Sequence, residues 1–94
     1  MKKSKTAKQI ERHLKGVANH WRIEILLFVA AQSGATVDEI ARGVGGHFKT
    51  ISEHARRLVQ AGLVDKQYKG RTVVHTLSPY SRIFCVFIRT FQHS

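Results

Sequence analysis

The sequence predicts a mainly α domain with one small β-hairpin, in the order α-α-α-α-β-β-α. Three observations carry this. The stretch Val37 to Gly62, VDEIARGVGGHFKTISEHARRLVQAG, reads as two short helices separated by a glycine turn. After Gly62 the apolar period changes from helical to strand-like, with Lys69-Gly70 between two β-rich runs. After Ser78-Pro79 the helical period returns, now carried largely by aromatic residues.

Composition sets the limits. The 94 residues make one domain, 1–94, with a modest core that association with a second copy would extend. Sixteen Lys and Arg face six Asp and Glu, a formal charge of +10. Such a balance implies an anionic partner, nucleic acid ahead of a membrane surface. The single cysteine, Cys85, permits no intrachain disulfide, which excludes a secreted disulfide scaffold. The basic start is not followed by an apolar stretch and cleavage site, and no apolar run is long enough to span a membrane. The expected location is cytoplasmic, with no membrane partner.

Each element has its own justification. Residues 1–7 form a basic arm (Lys2, Lys3, Lys5), either a phosphate-touching tail or a solubilising terminus. Gln9 to Val17, within 8–18, is a helix with Ile10, Leu14 and Val17 on a narrow stripe that needs another surface to cover it. Asn19 is a good N-cap for a second helix, His20 to about Gln32. Trp21, Ile23, Ile25, Leu26, Leu27, Phe28 and Val29 make it apolar on nearly every side, so it is the central core helix, and Ser33-Gly34 ends it. Thr36 and Glu39 fit a capping box, which starts the next helix at Val37 with Ile40 and Ala41 inward. Gly43, Val44, Gly45 and Gly46 should stop it.

The fourth helix turns Ile51, Ala55, Leu58 and Val59 inward and shows Lys49, Ser52, Glu53, Arg56 and Arg57 outward. Its start stays open between His47 and a Thr50–Glu53 cap. A short helix, a glycine turn and an amphipathic helix with a cationic face is the helix-turn-helix arrangement, whose second helix enters the major groove of DNA. Helix pairs of this kind also occur in domains that never meet DNA, and the charge favours the DNA reading. The runs Leu63 to Tyr68 and Arg71 to Leu77 then form a hairpin, with Lys66, Lys69 and Arg71 towards its tip. A basic hairpin directly after such a helix is a wing. The last helix, over 79–92, starts with Ser78 as N-cap and Pro79 in the first turn. Tyr80, Ile83, Phe84, Phe87, Ile88 and Phe91 repeat along it, a wider apolar face than a small domain needs. With Ile10 and Leu14 they are the expected dimer interface; a plain core helix is the simpler alternative.

Catalysis and metal binding find little support. The six acids show no pairing for acid–base work, and Gly43 to Gly46 has neither the preceding strand nor the G-K-[ST] ending of a phosphate loop. His13, His20, His47, His54, His75 and His93 lack metal-ligand spacing and a thiolate pair. Cys85, among Ile83, Phe84, Val86 and Phe87, reads as a small hydrophobe. A cross-dimer disulfide would need two copies of it to meet on the dimer axis. No enzyme activity, cofactor or metal is expected.

With this order of elements, the chain resembles the ArsR-type winged-helix transcriptional regulators. The likeness spans roughly residues 10 to 92 and rests on LKGVANHWRIEILLFV (Leu14 to Val29), TVDEIARGVG (Thr36 to Gly45) and KTISEHARRLVQAGLVDKQYKGRTVVHTLSP (Lys49 to Pro79). It implies a winged helix-turn-helix homodimer with the first and last helices at its interface. It also implies that the helix from about Phe48 to Ala61 reads the major groove, flanked by the hairpin, on half-sites roughly 34 Å apart. The departures are specific. No Cys-x-Cys lies in the third helix, and the last helix holds only Cys85 and the terminal His93, so the family's metal sensing does not carry over. Asn19-His20-Trp21 replaces the usual Asp-Pro-Thr, Gly46 replaces a usual Leu, and His47 and Phe48 replace small polar residues. An unusual base preference follows.

On DNA the roles divide by chemistry. Lys49, Thr50, Ser52 and Glu53, near the start of the reading helix, are candidates for base edges: Lys for guanine, Glu for the cytosine amino group. Arg56, Arg57, Lys66, Lys69 and Arg71 are candidates for phosphate. The expected partner is double-stranded DNA carrying an inverted repeat, bound as a sequence-specific regulator, a repressor. The alternatives are a non-regulatory winged-helix binder in an architectural, replication or RNA role, and a winged helix that binds protein.

Overall fold

The computed structural model describes residues 4–94, so Lys2 and Lys3 of the expected basic arm lie outside the described residues. Seven elements follow in order: α1 (Ala7–Val17), α2 (His20–Ala31), α3 (Val37–Val44), α4 (Phe48–Gln60), β1 (Val64–Lys69), β2 (Thr72–Leu77) and α5 (Ser81–Gln92). Helix α2 packs against α1, α3, α4, α5 and β2, as its all-round apolar surface requires. Ile25, Leu26 and Val29 of α2 meet Ile40 of α3, Ile51 and Leu58 of α4, and Leu63 and Val64 at the start of the hairpin, all almost completely buried. Each such side chain contributes about 1.5–3 kcal/mol by leaving water.

The hairpin is antiparallel and in register from Val64↔Leu77 to Lys69↔Thr72. A bridge between Ala35 and His75 ties its second strand to the loop before α3. The ring of His75 closes that junction, its Nδ1–H donating to the Ala35 carbonyl at 3.0 Å. Strand β2 lies within its expected run, Arg71 to Leu77, whereas β1 extends one residue past the expected Tyr68, so that Lys69 pairs with Thr72. Leu63 turns into the core one residue before β1, and Arg71 belongs to the turn.

Three expectations need correction. The first helix begins at Ala7, two residues before Gln9, because Thr6 and Gln9 form a capping box: Gln9 N–H donates to Thr6 Oγ1 at 3.2 Å and Thr6 N–H to Gln9 Oε1 at 2.8 Å. Helix α3 does not stop at Gly43 but runs to Val44. A Cβ on Gly43 would stand 2.0 Å from the Phe28 ring, so the glycine is where α2 and α3 make close contact. Packing there outweighs the roughly 1 kcal/mol that glycine costs a helix.

The last helix starts at Ser81 rather than Pro79, and Ser78 is not its N-cap. Ser78 is buried, its N–H donating to the Leu63 carbonyl at 3.1 Å, while its carbonyl accepts from Ser81 N–H at 3.1 Å. Ser81 Oγ also donates to the Leu63 carbonyl. This link holds the exit of β2 against the entry of β1, and Pro79-Tyr80 becomes a turn ahead of α5.

Candidate nucleic-acid interface

The geometry begins at the turn between α3 and α4. Gly45 takes a left-handed conformation at φ 73°, closing α3 with its N–H on the Ala41 carbonyl. Gly46 follows, and a Cβ there would stand 2.6 Å from Ile51 and 3.2 Å from Trp21. The absent side chain lets α4 seat against α2. Helix α4 then starts at Phe48, with His47 at the cap position and no side-chain cap bond. The open question about its start is resolved: Thr50 and Glu53 form no capping box, and Phe48 and Lys49 are helical.

Ile51, Ala55 and Leu58 face the core, leaving Lys49, Thr50, Glu53, Arg56 and Arg57 exposed and Ser52 partly buried. Glu53 lies between two arginines: Arg56 Nη2 at 2.5 Å and Arg57 Nε at 3.0 Å from Glu53 Oε2. Hydrogen bonds from Arg56 first and Arg57 second hold the Glu53 carboxyl below the usual carboxylate range. Glu53, expected at base edges, and Arg56 and Arg57, expected at phosphate, are therefore joined in one cluster. Their i,i+3 and i,i+4 spacing was the available signal.

The hairpin meets α4 along one face. Lys66 and His75 are cross-strand partners, so their side chains share a face, with Val73 two residues along from His75. These three, together with Ser52, Ala55, Arg56 and Val37, line a groove of about 240 Å³. The fold thus brings Ser52 and Arg56 of α4 together with Lys66 of the wing. Lys69 and Arg71 stand further out at the hairpin end, exposed. Among the described residues, Lys49, Lys66, Lys69 and Arg71 make no ion pair. Tyr68 of β1 and Phe48 at the start of α4 are both strongly exposed, and Tyr68 carries no expected role.

Three histidines serve as ties between elements. Arg22 Nε–H donates to His54 Nδ1 at 3.2 Å, and Arg22 Nη1–H to the Gly16 carbonyl at 3.1 Å, joining α1, α2 and α4. Burial, then the Arg22 charge, lowers the His54 pKa below the ordinary histidine value. His13 Nδ1–H donates to the Ala61 carbonyl at 2.9 Å, and His75 acts as described. Among the described residues no three His, Cys, Asp or Glu side chains gather in a metal-binding group. Cys85 is buried, and that burial pushes its thiol pKa up against the opposing charges of Arg89 and Arg82.

A second surface lies on α5. Ile83, Phe87 and Phe91 are 72%, 61% and 72% exposed, and the rings of Phe87 and Phe91 stack with centroids 5.9 Å apart. Val86, absent from the expected interface, is also exposed on this helix. Phe84 and Ile88, assigned to the same interface, instead pack partly buried against the core. Tyr80, Ile10 and Leu14 are about half exposed. His13 joins the two helices, its ring 5.5 Å from that of Tyr80 and 6.3 Å from that of Phe84.

Five helices and a hairpin in this arrangement make a winged helix-turn-helix. A family model, HVO_A0114, matches residues 17–85, and the chain belongs to the HVO_A0114 family. HlyU from Vibrio cholerae has the same fold, with a TM-score of 0.84 and 22% identity over 98% of this chain and 100% of that one. The homodimeric winged helix-turn-helix DNA-binding domain of Mb0332 from Mycobacterium bovis, described as a possible ArsR-family regulator, gives 0.77 and 27% over 99% and 93%. The transcriptional repressor PagR of Bacillus anthracis gives 0.79 and 15% over 86% and 93%. No curated protein sequence matches the chain. The ArsR-type likeness read from the sequence holds in three dimensions. No helix among the described residues is long and apolar enough to cross a membrane.

Proposed function

We propose that the chain is a dimeric, sequence-specific DNA-binding transcriptional regulator acting in the cytoplasm, and that it represses by covering its site against polymerase. The observation that carries this is the joined surface of α4 and the wing. Ser52, Arg56 and Lys66 share one groove, exposed Lys49 lies a turn away, and Lys69 and Arg71 extend the charge outward. Helix α4 enters the major groove, with Lys49, Thr50 and Ser52 towards base edges, and the hairpin reaches the flanking backbone. The net charge of +10 supplies the long-range attraction.

Two copies join through Ile83, Phe87 and Phe91 of α5, with Tyr80 and with Ile10 and Leu14 of α1. These three side chains are 61–72% exposed, so burying them on both protomers contributes roughly 6–12 kcal/mol per dimer. That is comparable with the roughly 4–15 kcal/mol that association costs. Mb0332, with the same fold, is homodimeric, and PagR is a repressor, which supports both parts of the reading. A protomer measuring 38 × 33 × 20 Å, doubled about a two-fold axis, is commensurate with half-sites about 34 Å apart.

The test is selection from a pool of random duplexes at moderate salt, followed by sequencing of the retained fraction. An enriched inverted repeat is the expected result. Binding with a steep salt dependence but no enrichment would replace this reading with a non-specific architectural one.

A further inference from the structure

We infer that Phe48 reads the 5-methyl group of a thymine in each half-site. This rests on the regulator reading above and adds the base that it selects. Phe48 is the first residue of α4, and 55% of it is exposed. It takes no part in the apolar core, which claims Ile51 and Leu58 of the same helix. Its neighbours along the helix, exposed Lys49 and Thr50 and partly buried Ser52, are all hydrogen-bonding or charged. A large ring left in water at this one point has no folding role to explain it. The partner surface offers one apolar feature. In the major groove the base edges present donors and acceptors, with the thymine methyl as the apolar exception.

The backbone that carries the ring is seated on the core. Gly46 fits against Ile51 and Trp21 only because it lacks a side chain, so the backbone leading into Phe48 is held by the core. Asn19 caps the start of α2 through bonds from Trp21 N–H and Arg22 N–H at 2.9 and 3.3 Å, which anchors Trp21 in turn. Phe48 is therefore presented at the start of α4, two residues after the glycine that seats this helix on the core.

The test uses the duplex enriched from the random pool, with each thymine replaced in turn by uracil, which removes only the methyl group. Binding is measured for the wild-type chain, Phe48→Ala and Phe48→Leu. One thymine per half-site is expected to lose roughly four-fold in wild-type affinity on methyl removal, the weight of one buried methyl. Phe48→Ala should be indifferent to the change at that position, and Phe48→Leu should keep part of the sensitivity. If the wild type tolerates uracil everywhere, or Phe48→Ala keeps the full uracil penalty, the inference is overturned while the regulator reading stands. A ring wedged between base steps gives that first pattern, since truncation then weakens binding but methyl removal does not. A pool that yields no enriched sequence overturns both.

Discussion

Replacing Glu53 with Gln isolates what charge pairing does at the proposed interface. One carboxylate oxygen of Glu53 holds Arg56 and Arg57, two of the five cations assigned to phosphate alongside Lys66, Lys69 and Arg71. The paired side chains are 47–55% exposed, so water already screens the pairs and a phosphate can compete for the arginines. Five cations less one carboxylate leave four net charges per protomer, or eight in a dimer; the substitution restores ten. Counterion release at about 0.9 per neutralised phosphate then steepens the slope of log affinity against log salt from about −7 to about −9. Between 50 and 200 mM salt the variant should lose roughly twelve-fold more affinity than the wild type, and it should bind the tighter of the two at the low-salt end. Fluorescence anisotropy with a mixed-sequence duplex at several salt concentrations reads both quantities. An unchanged slope, with a loss confined to one enriched sequence, would refute the reasoning and return Glu53 to reading a cytosine amino group.

Other expectations follow from the packing. Gly43→Ala should destabilise the fold by about 1–3 kcal/mol through overpacking against Phe28, despite the better helix propensity of alanine; a higher urea midpoint would contradict this. Ile83→Glu with Phe87→Glu should leave far-UV circular dichroism intact but shift the sedimentation coefficient to that of a monomer and abolish tight DNA binding. Arg56→Ala should weaken binding to every duplex alike and flatten the salt slope by about one unit per protomer. His54 holds its proton less readily folded than unfolded, so its contribution to stability is complete above the ordinary histidine pKa of about 6.5 and is lost as pH falls below it. The urea midpoint should therefore drop between pH 7.5 and 5.5, and His54→Gln should flatten that drop.

What could be read from the sequence was local. The Thr36–Glu39 capping box and the Asn19 cap are each complete within a few residues and stand in the structure, and the hairpin turn falls one residue later than expected, at Gly70-Arg71. The Thr6–Gln9 box was equally local and simply overlooked. The misplaced elements depend on partners far along the chain. Intrinsic propensity makes Gly43 a helix stop, but its tolerance is decided by Phe28 on another helix. Ser78-Pro79 carried a correct-looking start signal, yet Ser78 is committed to Leu63, fifteen residues earlier in the chain. The same holds at the surfaces. Spacing alone assigned Phe84 and Ile88 to the dimer face, and only the angle at which α5 lies on the core separates them from Ile83 and Phe87. The groove that joins Ser52, Arg56 and Lys66 depends on strand register, which the turn position fixes only once the strand ends are known.

The most direct measurement is an NMR titration of the ¹⁵N-labelled chain with the enriched duplex. Backbone amide shifts are expected to concentrate in Phe48 to Arg57 and in Lys66 to Arg71, with the α5 amides from Ile83 to Phe91 unmoved. Shifts clustered on α5 and α1, with α4 and the hairpin silent, would show that the cationic helix and wing are not what meets DNA.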